Sequence, residues 1–244
     1  MVPRFSKKLF DRFLQFLSNK TNLYNPIIPI IEETLRNRKI STIIDLGSGG
    51  GGGLVRLNEE LKKNVPELNI IMTDYFPNII AFEHTKKLSP NFSYEKNPVD
   101  ARNVPANLKG LRTQFLSFHH FKPAEAKLIL QHALDSKSPI AIFEAQERSL
   151  SSIIAMLLSP VSVFLTSPFI RPFKIGRIVF TYLIPIVPLI VLWDGIISSL
   201  RTYSVKEMNE LIQSLNKHEI YDWQVGKINS GPSKILYLIG HEKE

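Results

Sequence analysis

The fold is decided by the stretch Asp45-Leu46-Gly47-Ser48-Gly49-Gly50-Gly51-Gly52-Gly53. It ends a β-branched run, residues 40–46, that predicts a buried strand, and it precedes a predicted helix over residues 54–63. Glycines between a strand and a helix permit positive φ angles and let backbone N–H groups approach a ligand closely. Asp74 ends the next predicted strand, where a carboxylate can accept hydrogen bonds from two ribose hydroxyls. The stretch therefore predicts a nucleoside-containing ligand at the edge of an α/β sheet.

Strand and helix patterns alternate outward from this stretch, which implies parallel strands joined by right-handed crossovers. The last two strand patterns instead flank a short Asn-Ser-Gly-Pro turn and predict an antiparallel hairpin. We expect a doubly wound α/β fold whose mostly parallel seven-stranded sheet is closed by an antiparallel C-terminal hairpin. It forms one domain over residues 1–244, with N-terminal helices in residues 1–38. The predicted strands are 40–46, 69–73, 92–94, 111–118, 139–143, 221–228 and 234–239, and the predicted helices are 26–38, 54–63, 79–88 and 124–134.

The glycine spacing alone does not identify the ligand. Gly47, Gly49 and Gly52 also satisfy the pattern of a dinucleotide site, so the spacing is compatible with NAD and with S-adenosylmethionine. Asp45, two residues before the first glycine, gives an Asp-x-Gly-x-Gly sequence that resembles motif I of class I S-adenosylmethionine-dependent methyltransferases. Three later segments resemble further motifs of that family in the same order, namely residues 73–78, 99–105 and 115–121. Strand four departs from the family pattern, because Leu111-Arg112-Thr113 replaces the usual Phe-Asp opening.

This resemblance implies S-adenosylmethionine as the cofactor and methyl transfer as the activity. It implies that Asp45 orients the methionine end of the cofactor, Asp74 binds the ribose, and Asp100 meets the adenine amino group. A solvated turn residue is the alternative role for Asp100. The expected cofactor residues are Asp45, Gly47, Ser48, Gly49, Gly51, Asp74, Tyr75, Asp100 and Ala101.

A hydroxyl acceptor would benefit from a general base. His120 and His119 follow strand four, and Glu144 and Glu147 follow strand five, so all four are expected near the ligand edge of the sheet. We favour a histidine because an imidazole exchanges protons near neutral pH. The competing interpretation makes His119 a core residue. The pattern contains no convincing set of metal ligands.

An apolar insertion, residues 150–205, separates strand five from the hairpin. From Ser151 to Trp193 its only charged residues are Arg171, Lys174 and Arg177. Pro185, Pro188 and the length of the run disfavour a single membrane-spanning helix. The insertion is predicted either to close an apolar pocket as a lid or to dip into one leaflet of a membrane, and both predict a lipophilic acceptor. Asp194, Arg201 and Tyr203 are candidates to line the pocket from this side.

The chain carries a net charge of +8, which is compatible with an anionic partner or with an ordinary basic surface. Residues 1–20 carry a basic helical pattern with an apolar face, which fits either membrane contact or ordinary packing. We expect a cytoplasmic protein, and peripheral contact with the inner face of the membrane through residues 1–20 and 160–200 is one of the alternatives that stay open. No nucleic-acid partner is expected, because the insertion is aliphatic rather than rich in basic residues and exposed aromatics. An NAD(P)-dependent oxidoreductase and a nucleic-acid methyltransferase are the alternative functions, and the oligomeric state stays open.

Overall fold

The computed structural model describes residues 18, 20–51, 53–170, 173, 175–231 and 233–243. Within these residues seven strands form one sheet in the order β3-β2-β1-β4-β5-β7-β6. Neighbours from β3 to β5 pair in parallel, β7 runs antiparallel to β5, and β6 runs antiparallel to β7. The predicted doubly wound sheet with its closing hairpin is confirmed. The strands are β1 (Thr42–Leu46), β2 (Asn69–Thr73), β3 (Phe92–Tyr94), β4 (Leu111–Phe115), β5 (Ile140–Glu144), β6 (Tyr221–Ser230) and β7 (Ser233–Glu242).

Helices cover both faces of the sheet. On one face pack α1 (Ile28–Asn37), α2 (Val55–Leu61) and α3 (Ile79–Leu88). On the other face pack α4 (Pro123–Asp135) and α9 (Val205–Gln213). Each face therefore has its own apolar core, as expected for parallel strands that are buried on both sides.

Four helices between β5 and α9 form a separate layer, which we call the cap. They are α5 (Leu150–Leu157), α6 (Ser159–Thr166), α7 (Ile175–Ile178) and α8 (Ile186–Arg201). Helix α7 continues into a π-helical turn at Val179–Leu183, and α8 packs against α5, α6 and that turn. Short 3₁₀ turns occupy Asn25–Ile27, Phe118–His120, Ser167–Phe169 and His218–Ile220.

The largest differences from the sequence-based boundaries lie in β4 and in the hairpin. β4 ends at Phe115 rather than at residue 118, because Leu116 adopts a φ of +48° and the chain turns into the Phe118–His120 3₁₀ segment. The hairpin strands are longer than predicted and pair as far as Ser230 opposite Ser233. Their outer residues are polar, so the apolar alternation that marks a strand fades before the pairing ends.

Among the described residues no single helix is long and apolar enough to cross a membrane. Two helix pairs reach the required length and composition only together, and they bend by 40° and 77°. The pairs are Leu150–Leu157 with Ser159–Phe169, and Ile175–Leu183 with Ile186–Arg201. The predicted basic helical pattern of residues 1–17, and the cations Arg171 and Lys174, lie outside the described residues.

Candidate functional site

The glycine turn connects the carboxyl end of β1 to α2. Gly47, Gly49 and Gly51 have φ angles of +77°, +53° and +71°, in the left-handed region that favours glycine. A Cβ atom on Gly51 would lie 2.8 Å from Cδ1 of Phe82 and 2.9 Å from Sδ of Met72. A Cβ atom on Gly49 would meet nothing within 4 Å. The turn is therefore tightly packed at Gly51 and borders open space at Gly49.

Several N–H groups of this turn already have partners inside the protein. Those of Gly47 and Ser48 donate to the carbonyl oxygen of Thr73 at 3.0 and 2.8 Å. That of Gly49 donates to Oδ2 of Asp74 at 2.8 Å. The sequence led us to expect N–H groups directed at a ligand, and for these three residues that expectation was wrong. They fasten the turn to the end of β2 instead.

Two carboxyl groups flank the turn. Asp45 is buried, and its two oxygens accept hydrogen bonds from the hydroxyls of Ser48 at 2.6 Å and Thr113 at 3.1 Å. Burial raises the pKa of Asp45 to about 6, the two hydroxyls oppose the rise, and the charge of Asp74 adds to it. Asp74 also accepts a hydrogen bond from the N–H of Phe76 at 2.8 Å. The site thus concentrates negative charge beside the glycine turn.

Asp100 lies across the same space and is held by an arginine. Arg102 donates from Nε at 2.9 Å and from Nη2 at 2.7 Å to the two oxygens of Asp100. The hydrogen bonds from Arg102 lower the pKa of Asp100 below its ordinary value, so this carboxylate stays ionised. Arg102 is fixed in turn by Glu125 at 2.8 Å. The orientation of Asp100 is therefore set by the protein.

These groups line one cavity of about 520 Å³, a size typical of small-molecule sites. It lies at the carboxyl ends of β1, β2 and β4, where ligands bind in open α/β sheets. All nine residues predicted to bind the cofactor lie on its wall. They are Asp45, Gly47, Ser48, Gly49, Gly51, Asp74, Tyr75, Asp100 and Ala101.

A buried histidine and glutamate form a pair beside the cavity. Nδ1 of His119 lies 2.7 Å from Oε2 of Glu144, which is fully buried at the end of β5. Oε1 of Glu144 accepts hydrogen bonds from the N–H groups of Phe118 and His119 at 2.8 and 3.1 Å. Nε2 of His119 is buried without a protein partner, and His119 lines the cavity. With the carboxylate accepting from Nδ1–H, the lone pair resides on Nε2.

Comparison with solved structures places this arrangement among known folds. The plantazolicin methyltransferase BpumL in complex with SAH is similar, with a TM-score of 0.58 and 16% identity over 98% of this chain and 90% of that one. Human N-acetylserotonin methyltransferase in complex with SAM matches 98% of this chain and 57% of its own, with a TM-score of 0.55 and 12% identity. An O-methyltransferase family protein from Burkholderia thailandensis matches 94% of this chain and 60% of its own, with a TM-score of 0.50 and 16% identity.

This chain has the class I methyltransferase fold. It spans nearly the full length of the plantazolicin enzyme and less than two thirds of the other two proteins. No family model matches the sequence, and no curated protein matches it significantly.

The other candidate residues of this methyltransferase fold occupy different surroundings. His120 also lines the cavity but is exposed, and its ring contacts that of His119 in a tilted arrangement with centroids 4.2 Å apart. Glu144 contacts His119 but is not among the residues that line the cavity. Glu147 pairs with Lys227. From the cap side Asp194 lines the cavity.

Two cap-side expectations were wrong. Tyr203 is buried in the apolar core, where it packs on Phe118 and donates to the carbonyl of Phe121 at 2.7 Å. Arg201 is exposed and is not among the cavity residues. Arg201 ends α8 and Tyr203 follows it, and both come after Ser198, the last residue of this helix on the cavity wall.

Sequence reasoning missed several polar residues of the wall, among them Gln114, Ser117, Gln146 and Tyr24. Gln114 and Ser117 come from the end of β4, and Gln146 follows β5. Each has at least one buried polar atom without a protein partner. Tyr24 reaches the cavity from the segment before α1, and burial together with the charges of Glu144 and Asp45 raises its pKa. Gln146 follows the predicted end of β5 and was accessible to the same reasoning as the histidines. Gln114 and Ser117 lie inside the predicted strand 111–118, and nothing in the pattern marks Tyr24.

Proposed function

We propose that this protein transfers the methyl group of S-adenosylmethionine to a hydroxyl oxygen of a small lipophilic acceptor. The observation that carries the proposal is the glycine turn between Asp45 and Asp74, which faces the same cavity as the His119–Glu144 pair. One part supplies a site for a cationic nucleoside cofactor, and the other supplies a base for the acceptor.

The residues fit that cofactor. Asp45 is a buried carboxyl group whose raised pKa would fall on contact with a cation, so a ligand carrying sulfonium and ammonium charges would stabilise its ionised form. Asp74 would bind the ribose hydroxyls, and the open space beside Gly49 lets a ligand approach the backbone. Asp100 would receive the adenine amino group, with Tyr75 and Ala101 alongside. When bound, the cofactor supplies a methyl group activated by its sulfonium.

The same geometry disfavours the oxidoreductase alternative. A dinucleotide site uses free N–H groups at the glycine turn to hold a pyrophosphate. Here the N–H groups of Gly47, Ser48 and Gly49 are bonded to Thr73 and Asp74. The carboxylates of Asp45 and Asp74 would also repel a pyrophosphate, whereas they attract a cation.

His119 is the proposed general base. Its Nε2 would take the proton of the acceptor hydroxyl, and Glu144 would hold the ring in the required tautomer and stabilise the imidazolium. The bonds from two backbone N–H groups keep Glu144 in place for this role. The exposed His120 would help to bind the acceptor rather than to remove its proton.

The acceptor is proposed to be an amphiphile. Its hydroxyl end would meet the buried polar atoms of Gln114, Ser117 and Gln146, which have no protein partners. Its apolar part would lie against apolar groups of the wall such as Leu116 and Phe121, because the described cap residues that line the cavity, Asp194 and Ser198, are polar. The name of human N-acetylserotonin methyltransferase likewise specifies a small acceptor, which supports a small molecule here.

Thermal denaturation in the presence of ligands tests the cofactor assignment. Adenosylmethionine and adenosylhomocysteine should raise the melting temperature, whereas NAD and NADP should leave it unchanged, because a ligand stabilises the state that binds it. The Asp74→Ala variant should lose the rise. Stabilisation by NAD or NADP, or by none of the four ligands, would contradict the proposal.

A further inference from the structure

The outer surface of the cap differs in chemistry from an ordinary protein surface. Among its described residues between 150 and 200, every largely exposed residue is apolar or aromatic except Ser151. The most exposed include Leu183 at 77%, Leu150 and Ile175 at 74%, and Trp193 at 68%. Apolar surface concentrated in this way marks a site of protein or membrane interaction.

The exposed residues follow helical periodicity. In α8 the outward positions are Ile186, Leu189, Trp193 and Leu200, which lie along one side of the helix. The opposite side is buried and contains Val187, Pro188, Val191, Gly195, Ser198 and Ser199. The helix therefore packs inward through small and medium-sized residues and presents its largest apolar side chains outward, as helices that face lipid do.

We infer that the outer face of the cap docks onto an anionic lipid bilayer. The chain has a net charge of +8, and the one carboxylate of the segment, Asp194, lines the cavity. A second copy of the chain carries the same positive charge and is repelled at long range, whereas an anionic bilayer attracts it. A protein partner would also require polar groups for interfacial hydrogen bonds, which the exposed side chains of this face hardly provide.

The aromatic residues of the face support the same partner. Trp193 and Tyr182 are 68% and 47% exposed, and both are amphipathic side chains that concentrate at membrane–water interfaces. Tyr182 donates its hydroxyl hydrogen bond to the carbonyl of Phe164, so its polar end is satisfied within the cap. Both side chains are compatible with a cap that lies in the interface rather than spanning the bilayer.

Docking would place the bilayer one helix away from the cavity. Asp194 and Ser198 of α8 line the cavity, while Trp193 and Leu189 of the same helix face outward. A helix with its side chains is about 10–12 Å thick. On the proposed function, an amphiphilic acceptor would pass from the bilayer along α8 to His119. Only this loading step rests on the proposed function, whereas docking does not.

Vesicle binding tests the docking. The full chain should co-sediment with vesicles of phosphatidylcholine and phosphatidylglycerol, bind phosphatidylcholine vesicles much more weakly, and lose part of its binding at high salt. In a Trp223→Phe variant Trp193 is the only tryptophan, and its emission should shift to the blue when anionic vesicles are added.

A triple variant with a matched control locates the surface. Leu165→Gln, Leu183→Gln and Trp193→Gln should together weaken binding to anionic vesicles at least about tenfold, because each change removes an apolar contact with lipid. Ile80→Gln, Leu88→Gln and Leu128→Gln alter residues of similar exposure outside the cap and should leave vesicle binding unchanged. Both variants should keep the thermal shift with adenosylhomocysteine, which separates a failure of docking from a failure of cofactor binding.

Three outcomes would overturn the inference. The first is no binding to anionic vesicles with unchanged Trp193 emission. The second is equal loss of binding in the two triple variants. The third is a stable dimer of the wild-type chain that the cap variant dissociates, which would show that a second copy covers the face.

Discussion

The consecutive helices α8 and α9 are built in opposite ways. In α9 the buried residues are Met208, Leu211 and Ile212, and the exposed ones are Lys206, Asn209, Glu210 and Gln213. In α8 the exposed residues are Ile186, Leu189, Trp193 and Leu200 together with Arg201, and the buried ones are smaller, namely Val187, Pro188, Val191, Gly195, Ser198 and Ser199. Helix α9 belongs to the sheet framework, which excludes water from an apolar core. Helix α8 belongs to a layer whose large apolar groups point away from the protein, so the framework and the cap meet different surroundings.

On the proposed function, the chemistry would take place in the framework and the cap would deliver the acceptor. The largest expected effect therefore comes from the framework. His119→Ala should reduce kcat by about 10²–10⁴-fold, because it removes the proposed general base. The thermal shift with adenosylhomocysteine should persist. The measurement is turnover under saturating cofactor once an acceptor is identified.

The adjacent histidine provides the control for this prediction. His120 is exposed, whereas the buried His119 contacts Glu144, so His120→Ala should keep most of the turnover. A greater loss in His120→Ala than in His119→Ala would reverse the two assignments. Loss of the thermal shift in His119→Ala would show that the residue supports the site structurally.

Glycine replacements test the difference between the framework and the cap by their effect on the free energy of unfolding. Gly51→Ala should lower the free energy of unfolding by about 2–4 kcal/mol, because the left-handed backbone is strained by a Cβ and Phe82 blocks the space. In the cap, Gly195→Ala brings a Cβ to 2.6 Å from Sδ of Met156, the movable end of a flexible side chain. Alanine also favours a helix over glycine by about 1 kcal/mol, so this variant should stay within about 1 kcal/mol of wild type.

Denaturant unfolding of both variants measures these differences. An equal loss of stability at the two positions would contradict the view that the framework is rigidly packed while the cap adjusts.

Asp45 links the stability of the framework to ligand binding. Its pKa is raised from 3.8 to about 6 in the folded protein, which corresponds to a destabilisation of about 3 kcal/mol when the carboxyl is ionised. Because the folded-state pKa lies above the unfolded value, this destabilisation is absent below about pH 4, grows as the pH rises, and is complete above about pH 6. Asp45→Asn should therefore raise the melting temperature of the ligand-free protein at pH 7 and have little effect at pH 4.

The same substitution should weaken binding of the cationic cofactor. In the wild type, affinity for adenosylmethionine should fall as the pH drops below about 6, by up to tenfold per pH unit, since binding requires the ionised carboxyl. Calorimetric titrations at several values between about pH 5 and 8 measure this dependence of the affinity on pH. An affinity that does not change with pH in the wild type would remove Asp45 from the cofactor site.

The framework was predictable from sequence because its signals are local and strong. β2, α3 and β3 have the predicted bounds, and the apolar run before the glycines identified β1. The end of β4 was missed because a non-glycine residue, Leu116, adopts a left-handed conformation that no turn residue announces. The individual helices of the cap could not be located in the sequence, because a segment that is apolar throughout shows no hydrophobic periodicity.

The candidate site was only partly predictable. The cofactor residues lie at one edge of the sheet. The predicted strand ends were therefore sufficient to place Asp45, Asp74 and the glycines together. The partnership of His119 with Glu144 depends on the β4–β5 pairing and on the 3₁₀ turn that redirects the chain. The position of Tyr24 depends on how a segment distant in sequence folds over the cavity. Such contacts arise from tertiary packing, which local patterns do not encode.

Transfer of a labelled methyl group tests the central claim most directly. Purified protein is incubated with methyl-labelled adenosylmethionine and, in separate reactions, with a lipid extract and a soluble metabolite extract. The account predicts label in an organic-soluble product of the lipid extract, with adenosylhomocysteine released and with little label when His119→Ala replaces the wild type. Label confined to a water-soluble product, or no transfer to either extract by a protein that binds adenosylhomocysteine, would contradict it.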